Sequence, residues 1–260
     1  MKVFAASGLA PGHRHERAME IIAAGLSDPV LGPISIEKVQ LCPQHSGTLD
    51  DDKIDALMEQ YPQTTFRLHA SPRVRGNKDH HVYASNARDK PDQVKALARA
   101  SQRMGADGYS LHSGLSSEGT LDEALNAIPW IEDQFQCPVG IEGLYPAGAR
   151  VNYWLINSWA DYAKLMKSNV RYAIDVSHLQ IVAHKARHID ETLVQELLLS
   201  PACMEVHVSD NNGRADSHRP LTPNSPPWWK AILDAADQDG MVAPVFYEGM
   251  LAPYRSGKKN

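Results

Sequence analysis

Along the chain, short runs of apolar and β-branched residues alternate with longer stretches in which apolar positions recur three and four residues apart. The short runs are Lys2–Ala6, Ile34–Leu41, Thr65–Ala70, Gly108–Ser113, Pro138–Gly143, Arg171–Ser177, Met204–Ser209 and Pro244–Gly249, and they predict eight strands. Each of the first seven precedes a predicted helix: His15–Leu26, Asp50–Gln60, Pro91–Met104, Thr120–Phe135, Ser158–Lys167, Asp190–Leu199 and Pro226–Gln238. Met19, Ile22 and Ala23 share one helix face, as do Val94, Leu97 and Ala98. Asp50–Asp52 place negative charge at a helix start, and Pro91 suits a first helical position. Strands that alternate with helices, with no Gly/Ser linker between them, imply a parallel sheet with crossovers, and eight such units close a (β/α)8 barrel. A doubly wound open sheet is the other arrangement, but no GxGxxG or GxxxxGK[ST] follows any strand. The barrel is expected to be a single domain over residues 1–255, with 256–260 as a tail.

Composition narrows the class. The 260 residues match the roughly 250 of a barrel. With 43% hydrophobic and 22% charged residues the chain reads as globular rather than disordered. No apolar run reaches the ~18 residues of a membrane span, and MKVFAASG reads as a first strand rather than a signal peptide. Cys42, Cys137 and Cys203 are odd in number and widely spaced, which fits a reducing cytoplasm and excludes a zinc–thiolate site. A net charge of −5 gives no general cationic field for nucleic acid.

The 12 histidines carry the chemical signal through their positions. His69, His112, Glu142 and His207 close four predicted strands, Asp175 and His178 close a fifth, and Glu248 closes a sixth; Asp216 and His218 lie just beyond His207. Strand ends of a barrel converge on one face, so these nine His and carboxylate groups meet at the C-terminal mouth. Several carboxylates crowded together require neutralising cations. Imidazole and carboxylate without thiolate suit Zn²⁺, Mn²⁺ or Fe²⁺, and nine ligands exceed what one ion takes, so two or three ions bridged by a carboxylate are expected.

The motifs LHAS, LHSG, IEG, IDVSH, HVSDN, RADSH and YEG, in this order, resemble the xylose-isomerase-like TIM-barrel superfamily, and more closely the endonuclease IV type of metal site. The resemblance runs from about residue 65 to 250, and no ligand position is missing. It implies one of three chemistries: abasic-site cleavage with three zinc ions, sugar isomerisation or epimerisation with one or two metals, or O2-dependent oxidation by a multinuclear non-haem iron site. Departures touch each branch. Endonuclease IV usually has Asn where this chain has Gly143, and its DNA-wedging side chains have no clear counterpart here. Isomerases seldom keep the complete ligand set. The iron enzymes commonly carry D-x-x-N where this chain has Asp175 and His178, although Pro220 and Trp228–Trp229 resemble their D-x-H…W region.

The expected function is therefore a metal-dependent enzyme. The leading expectation is an iron/O2-dependent oxidation of a small polar or peptidyl substrate, which a partner protein would present if it is a peptide. A sugar isomerase or epimerase is the first alternative and an abasic-site endonuclease the second. Glu142 and Glu248 are the expected catalytic carboxylates. Arg214 is a candidate fork for a substrate anion and Tyr145 a candidate donor to substrate. Asp210 is a candidate to orient an imidazole. Arg73, Arg75, His184 and His188 are expected on loops or the pocket rim. Tyr247, Trp154, Trp159, Trp228 and Trp229 read as packing, with one tryptophan as a candidate pocket wall. His13, His15, His45, His80 and His81 receive no role.

Overall fold

The computed structural model describes residues 1–77, 81–147 and 153–251; His80 and the 256–260 tail lie outside them. Among the described residues nine strands form one sheet: β1 Val3–Ala6, β2 Leu26–Asp28, β3 Gly32–Leu41, β4 Thr65–Leu68, β5 Tyr109–His112, β6 Val139–Glu142, β7 Tyr172–Asp175, β8 Cys203–Val208 and β9 Val245–Tyr247. Parallel pairing runs from β4 through β3, β1, β9, β8, β7 and β6 to β5. The circuit returns from β4 to β5 through a single parallel bridge, His69 to Ser110, where the Ala70 N–H donates to the Ser110 carbonyl at 2.8 Å. The eight strands read from the sequence are the eight of this ring, as expected for a TIM barrel.

Among the described residues eight α-helices surround it: α1 His15–Ala23, α2 Asp51–Gln60, α3 Pro91–Arg103, α4 Leu121–Phe135, α5 Trp159–Lys167, α6 Val176–Ala186, α7 Glu191–Leu199 and α8 Trp229–Gln238. Their starts follow local chemistry. The Asp50, Ser158 and Asp190 side chains accept from the backbone N–H of Lys53, Asp161 and Leu193, and Thr120 with Glu123 forms a capping box.

Two local departures have physical causes. The first helix stops at Ala23 rather than Leu26, because Gly25 takes a φ of +97° and turns the chain into β2. That unforeseen strand pairs antiparallel with β3, and Asp28 closes the hairpin by accepting from the N–H groups of Val30 and Leu31. The sixth predicted strand ends at Asp175 rather than Ser177. The Asp175 carboxylate accepts from the Ser177 N–H at 2.7 Å and starts α6, so His178 sits on a helix's first turn and not on a strand.

Strand alternation divides the core. A large apolar layer including Val39, Phe66, Leu111, Ile141, Ile174, Val206 and Val245 is shared by sheet and helices. Inside the ring a small cluster of Ala6, Cys42 and Phe246, with Phe4 against it, accompanies buried Gln40, Arg67, Glu205 and His207. The barrel interior is therefore largely polar, and it opens upward onto the strand-end ligands. Among the described residues no helix is long and apolar enough to cross a membrane.

Candidate metal centre

Glu142, at the end of β6, is the hub of the mouth. Its Oε2 lies 3.3 Å from His69 Nε2 and 3.4 Å from His112 Nε2, and its Oε1 lies 3.3 Å from His207 Nδ1. His178 Nδ1 is 3.6 Å from the same Oε1, while its Nε2 is 3.2 Å from Asp175 and 3.3 Å from Asp216. His218 joins the cluster through Asp216 at 3.0 Å and Glu248 at 3.3 Å. All nine residues expected from the sequence are thus in one connected cluster, and His69, Glu142, Asp175, His178, His207 and Glu248 are buried. His218 holds a left-handed φ of 42°, a cost borne where its carbonyl accepts from the Met250 N–H at 2.7 Å.

The donor set fits metal ions. His69, Glu142 and His207 offer one group of ligand atoms within 4.8 Å of one another, and Glu142, Asp175 and His178 a second, so Glu142 is common to both. Buried oxygens of Glu142, Asp175 and Asp216 have no hydrogen-bond partner, as expected of atoms that await a cation. Ring orientation agrees. His69 Nδ1 is 2.8 Å from Ser110 Oγ and His178 Nδ1–H donates to the Gly143 carbonyl at 3.0 Å, which turns each Nε2 toward the cluster.

The electrostatics are those of a charge-dense buried site. Burial pushes Asp175 up to about 6, helped by Glu248, Asp216 and Glu142 against the pull of His178. Burial works against the charged form of His178 as well, but Asp175, Asp216 and Glu142 raise it to about 10. His112 faces fewer opposing charges and burial lowers it to about 4. Burial also opposes ionisation of Glu142, yet the imidazoles of His69, His207 and His112 outweigh it and hold its pKa below the ordinary carboxylate range.

Three residues that sequence reasoning overlooked support the site from below. His207 Nε2–H donates to Glu205 Oε1 at 3.0 Å, and Gln40 donates to the same oxygen at 2.9 Å. The second Glu205 oxygen accepts from Arg67 at 2.7 Å. Arg67 then reaches Asp107, which also pairs with Lys38. Since Nε2 carries the proton to Glu205, Nδ1 is the nitrogen that His207 turns toward Glu142 and, at 3.8 Å, Glu248. The signal was present: Glu205 stands two before His207 and Arg67 two before His69, so alternation places each pair on one face.

A cavity of about 120 Å³ above the cluster is lined by His69, His112, Glu142, His178, Asp216, His218 and Glu248, with Pro43, Gln44, Leu144, Tyr145 and Trp154 around them. Tyr145 packs 4.9 Å from the His178 ring and Trp154 lies 6.3 Å from His112, so Trp154 is the tryptophan that walls this pocket. Arg214 is exposed and is not among the lining side chains. Asp210 holds Gln180 and its own loop rather than an imidazole. Tyr247 packs in the outer layer. His15 and His45, left without a role, form a buried pair with rings 4.5 Å apart. Burial pushes the Cys42 and Cys203 thiols up to about 12, which makes them inert.

Gly143 has a steric reason. A Cβ there would lie 2.4 Å from the Tyr162 ring, whose hydroxyl donates to the Leu144 carbonyl. The space next to Glu142 is already filled by an aromatic ring.

No family model matches the sequence, and no curated protein matches it. Solved structures are similar in fold. A D-tagatose 3-epimerase-like protein matches with a TM-score of 0.64 at 17% identity, over 95% of this chain and 90% of that one. An AP endonuclease of family 2 from Brucella melitensis gives 0.63 at 16%, over 96% and 93%. D-allulose 3-epimerase from Methylomonas sp. gives 0.60 at 12%, over 96% and 85%. With its ring of eight parallel strands and its ligand-bearing mouth, the chain has the xylose isomerase-like TIM-barrel fold.

Proposed function

We propose that the chain is a metal-dependent epimerase or isomerase of a small polyhydroxylated carbonyl compound. The observation that carries this reading is the pairing of two carboxylates, Glu142 and Glu248, within 3.3 and 3.8 Å of His207 Nδ1 and both lining one small cavity. The epimerase names among the structures of like fold put this reading ahead of the iron/O2 oxidation expected from the sequence.

His69, Glu142 and His207 would hold one divalent ion, Glu142, Asp175 and His178 a second, and Asp216, His218 and Glu248 would complete the set; Mn²⁺, Zn²⁺ and Fe²⁺ all suit these donors. Bound metal supplies Lewis-acid polarisation of a carbonyl and its neighbouring hydroxyl. The protein's share is proton transfer. One carboxylate takes the proton from the carbon beside the carbonyl, and the other, protonated at the start of the turnover, gives its proton to the opposite face; exchange with solvent then resets both. The Tyr145 hydroxyl, kept protonated by burial and by Asp216 nearby, donates to a substrate oxygen. Trp154 and Leu144 keep bulk water from the carbanion-like intermediate.

The test is a panel of ketoses in D2O with the protein loaded in turn with Mn²⁺, Zn²⁺ and Fe²⁺. Solvent deuterium should appear at the carbon next to the carbonyl, and Glu142→Gln and Glu248→Gln should each abolish exchange while the fold survives. Absence of exchange with every ketose and every metal would sink the proposal. Asp216 and His218, beside the two ligand groups, favour a second reading, phosphodiester cleavage. Incision of an abasic duplex at low salt, lost in His69→Ala, would put that reading first, although a net charge of −5 argues for weak duplex binding.

A further inference from the structure

A second cavity, larger than the first at about 570 Å³, opens between the far end of α6, the turn into α7 and the loop after β8. Its lining is Gln180, Ala183, His184, Arg187, His188, Ile189, Asn212, Gly213, Pro227 and Trp228, and it shares no residue with the cavity over the metal cluster. The size lies within the range of small-molecule sites.

The chemistry of the walls is one-sided. No carboxylate lines the cavity, in a chain with more acidic than basic residues. Among the described residues Arg187 has no ion-pair partner. The chain turns at Arg187 in a left-handed conformation, φ 55°, which ends α6 and sets Arg187 and His188 on the rim. The Asn212 carbonyl oxygen is committed to the N–H groups of Arg214 and Ala215, so its NH2 group is left to donate outward. Trp228, Pro227 and Ile189 supply an apolar wall with a flat aromatic face.

The loop that forms one wall also carries two groups of the metal cluster. It folds back through paired bonds between Asp210 and Arg219, at 2.8 and 2.7 Å, and sends Asp216 and His218 into the mouth. On its other side Gly213, at φ +72°, sits so tightly on α6 that a Cβ would lie 2.9 Å from His184. Gln180 pins it further by donating to the Asn211 carbonyl at 2.6 Å.

We infer that this cavity is a binding site for a small organic anion, a carboxylate or phosphate borne on a flat apolar group. The oxyanion meets the Arg187 fork with imidazole and Asn212 N–H donors, and the flat group lies against Trp228. The loop that forms one wall also carries Asp216 and His218, so the site adjoins the metal mouth without opening into it.

The experiment follows the Trp228 indole N–H signal by NMR, assigned through Trp228→Phe, during titration with benzoate, phenyl phosphate, inorganic phosphate and benzyl alcohol at constant ionic strength. Benzoate or phenyl phosphate should shift the signal saturably, and the stronger of the two identifies the anion. Inorganic phosphate should bind more weakly and benzyl alcohol not at all. Arg187→Gln should weaken binding by at least ~10-fold, the loss of a charge-assisted contact. His69→Ala, which damages the metal cluster, should leave it unchanged. No saturable shift up to ~10 mM, a range that covers weak millimolar binding, would overturn the inference. So would equal response to benzyl alcohol, undiminished binding in Arg187→Gln, or loss of binding in His69→Ala.

Discussion

The Nε2–H of His207 donates to a carboxylate oxygen of Glu205 at 3.0 Å, and both side chains are wholly buried. The bond settles which ring nitrogen the mouth receives. It also ties a site group to Arg67, and burial is offset at Glu205 by His207 and Arg67, which bring the carboxyl down to about 2.

Glu205→Gln keeps the volume but removes the charge that holds the imidazole. Metal affinity should fall by roughly 10- to 100-fold, the usual effect of losing such a partner. Competition with a chromophoric chelator measures it; unchanged affinity would mean that Glu205 only fills space. Arg67→Met leaves Glu205 buried without its cation and should cost about 3–5 kcal/mol by urea unfolding.

Chelation should lower the melting temperature, and resupply of Mn²⁺ or Zn²⁺ should restore it. A ligand that binds only the folded state adds about 2.7 kcal/mol at a hundred times its Kd. Calorimetry before and after dialysis against a chelator reads this directly. In Glu142→Gln the restoration should be reduced, because both ligand groups use that residue.

Gly143→Ala should destabilise the fold by about 1–3 kcal/mol, since the new methyl meets the Tyr162 ring. Adding Tyr162→Leu should return part of that loss. If Gly143→Ala proved neutral in urea, the close packing of ring and backbone would not be what keeps glycine here.

His15 provides a pH dependence outside the metal cluster. Burial, with His45 and Lys53 adding to it, lowers its pKa from 6.5 to about 3. The folded state therefore binds fewer protons than the unfolded one. The stability that His15 contributes is complete above pH ~6.5 and is lost as the pH falls from there toward 3, by at most about 1.4 kcal/mol per pH unit. Urea midpoints between pH 7 and pH 5 should drop less in His15→Phe than in the parent chain. Parallel curves would count against it.

The ring of strands and all nine clustered groups were legible because strand ends in a barrel share one face, and a His or Glu closing an apolar run stands out. Glu205, Arg67 and Gln40 were harder to see. Each lies inside a strand, where a polar residue ordinarily faces water, and only a barrel with a polar interior makes that face buried. Asp175 was placed correctly on its strand, but the end of that strand was not: Ile174 and Val176 continue a β-like pattern across a boundary set by one side-chain bond to Ser177. Arg214 was chosen for proximity in sequence to Asp216, yet the turn built by Asn212 leaves it exposed.

The bridge between His69 and Ser110 is the one junction of the ring that rests on an isolated pair; even β6 and β7 meet in two register pairs. At that junction the His69 ring reaches across the gap to the Ser110 hydroxyl, and its other nitrogen faces Glu142 on the far side of β5. An ion held by His69 and Glu142 would act as a rivet through the seam of the barrel. Hydrogen exchange at the Ala70 amide would then report how firmly the hoop is fastened, and the empty protein would be expected to unzip there first.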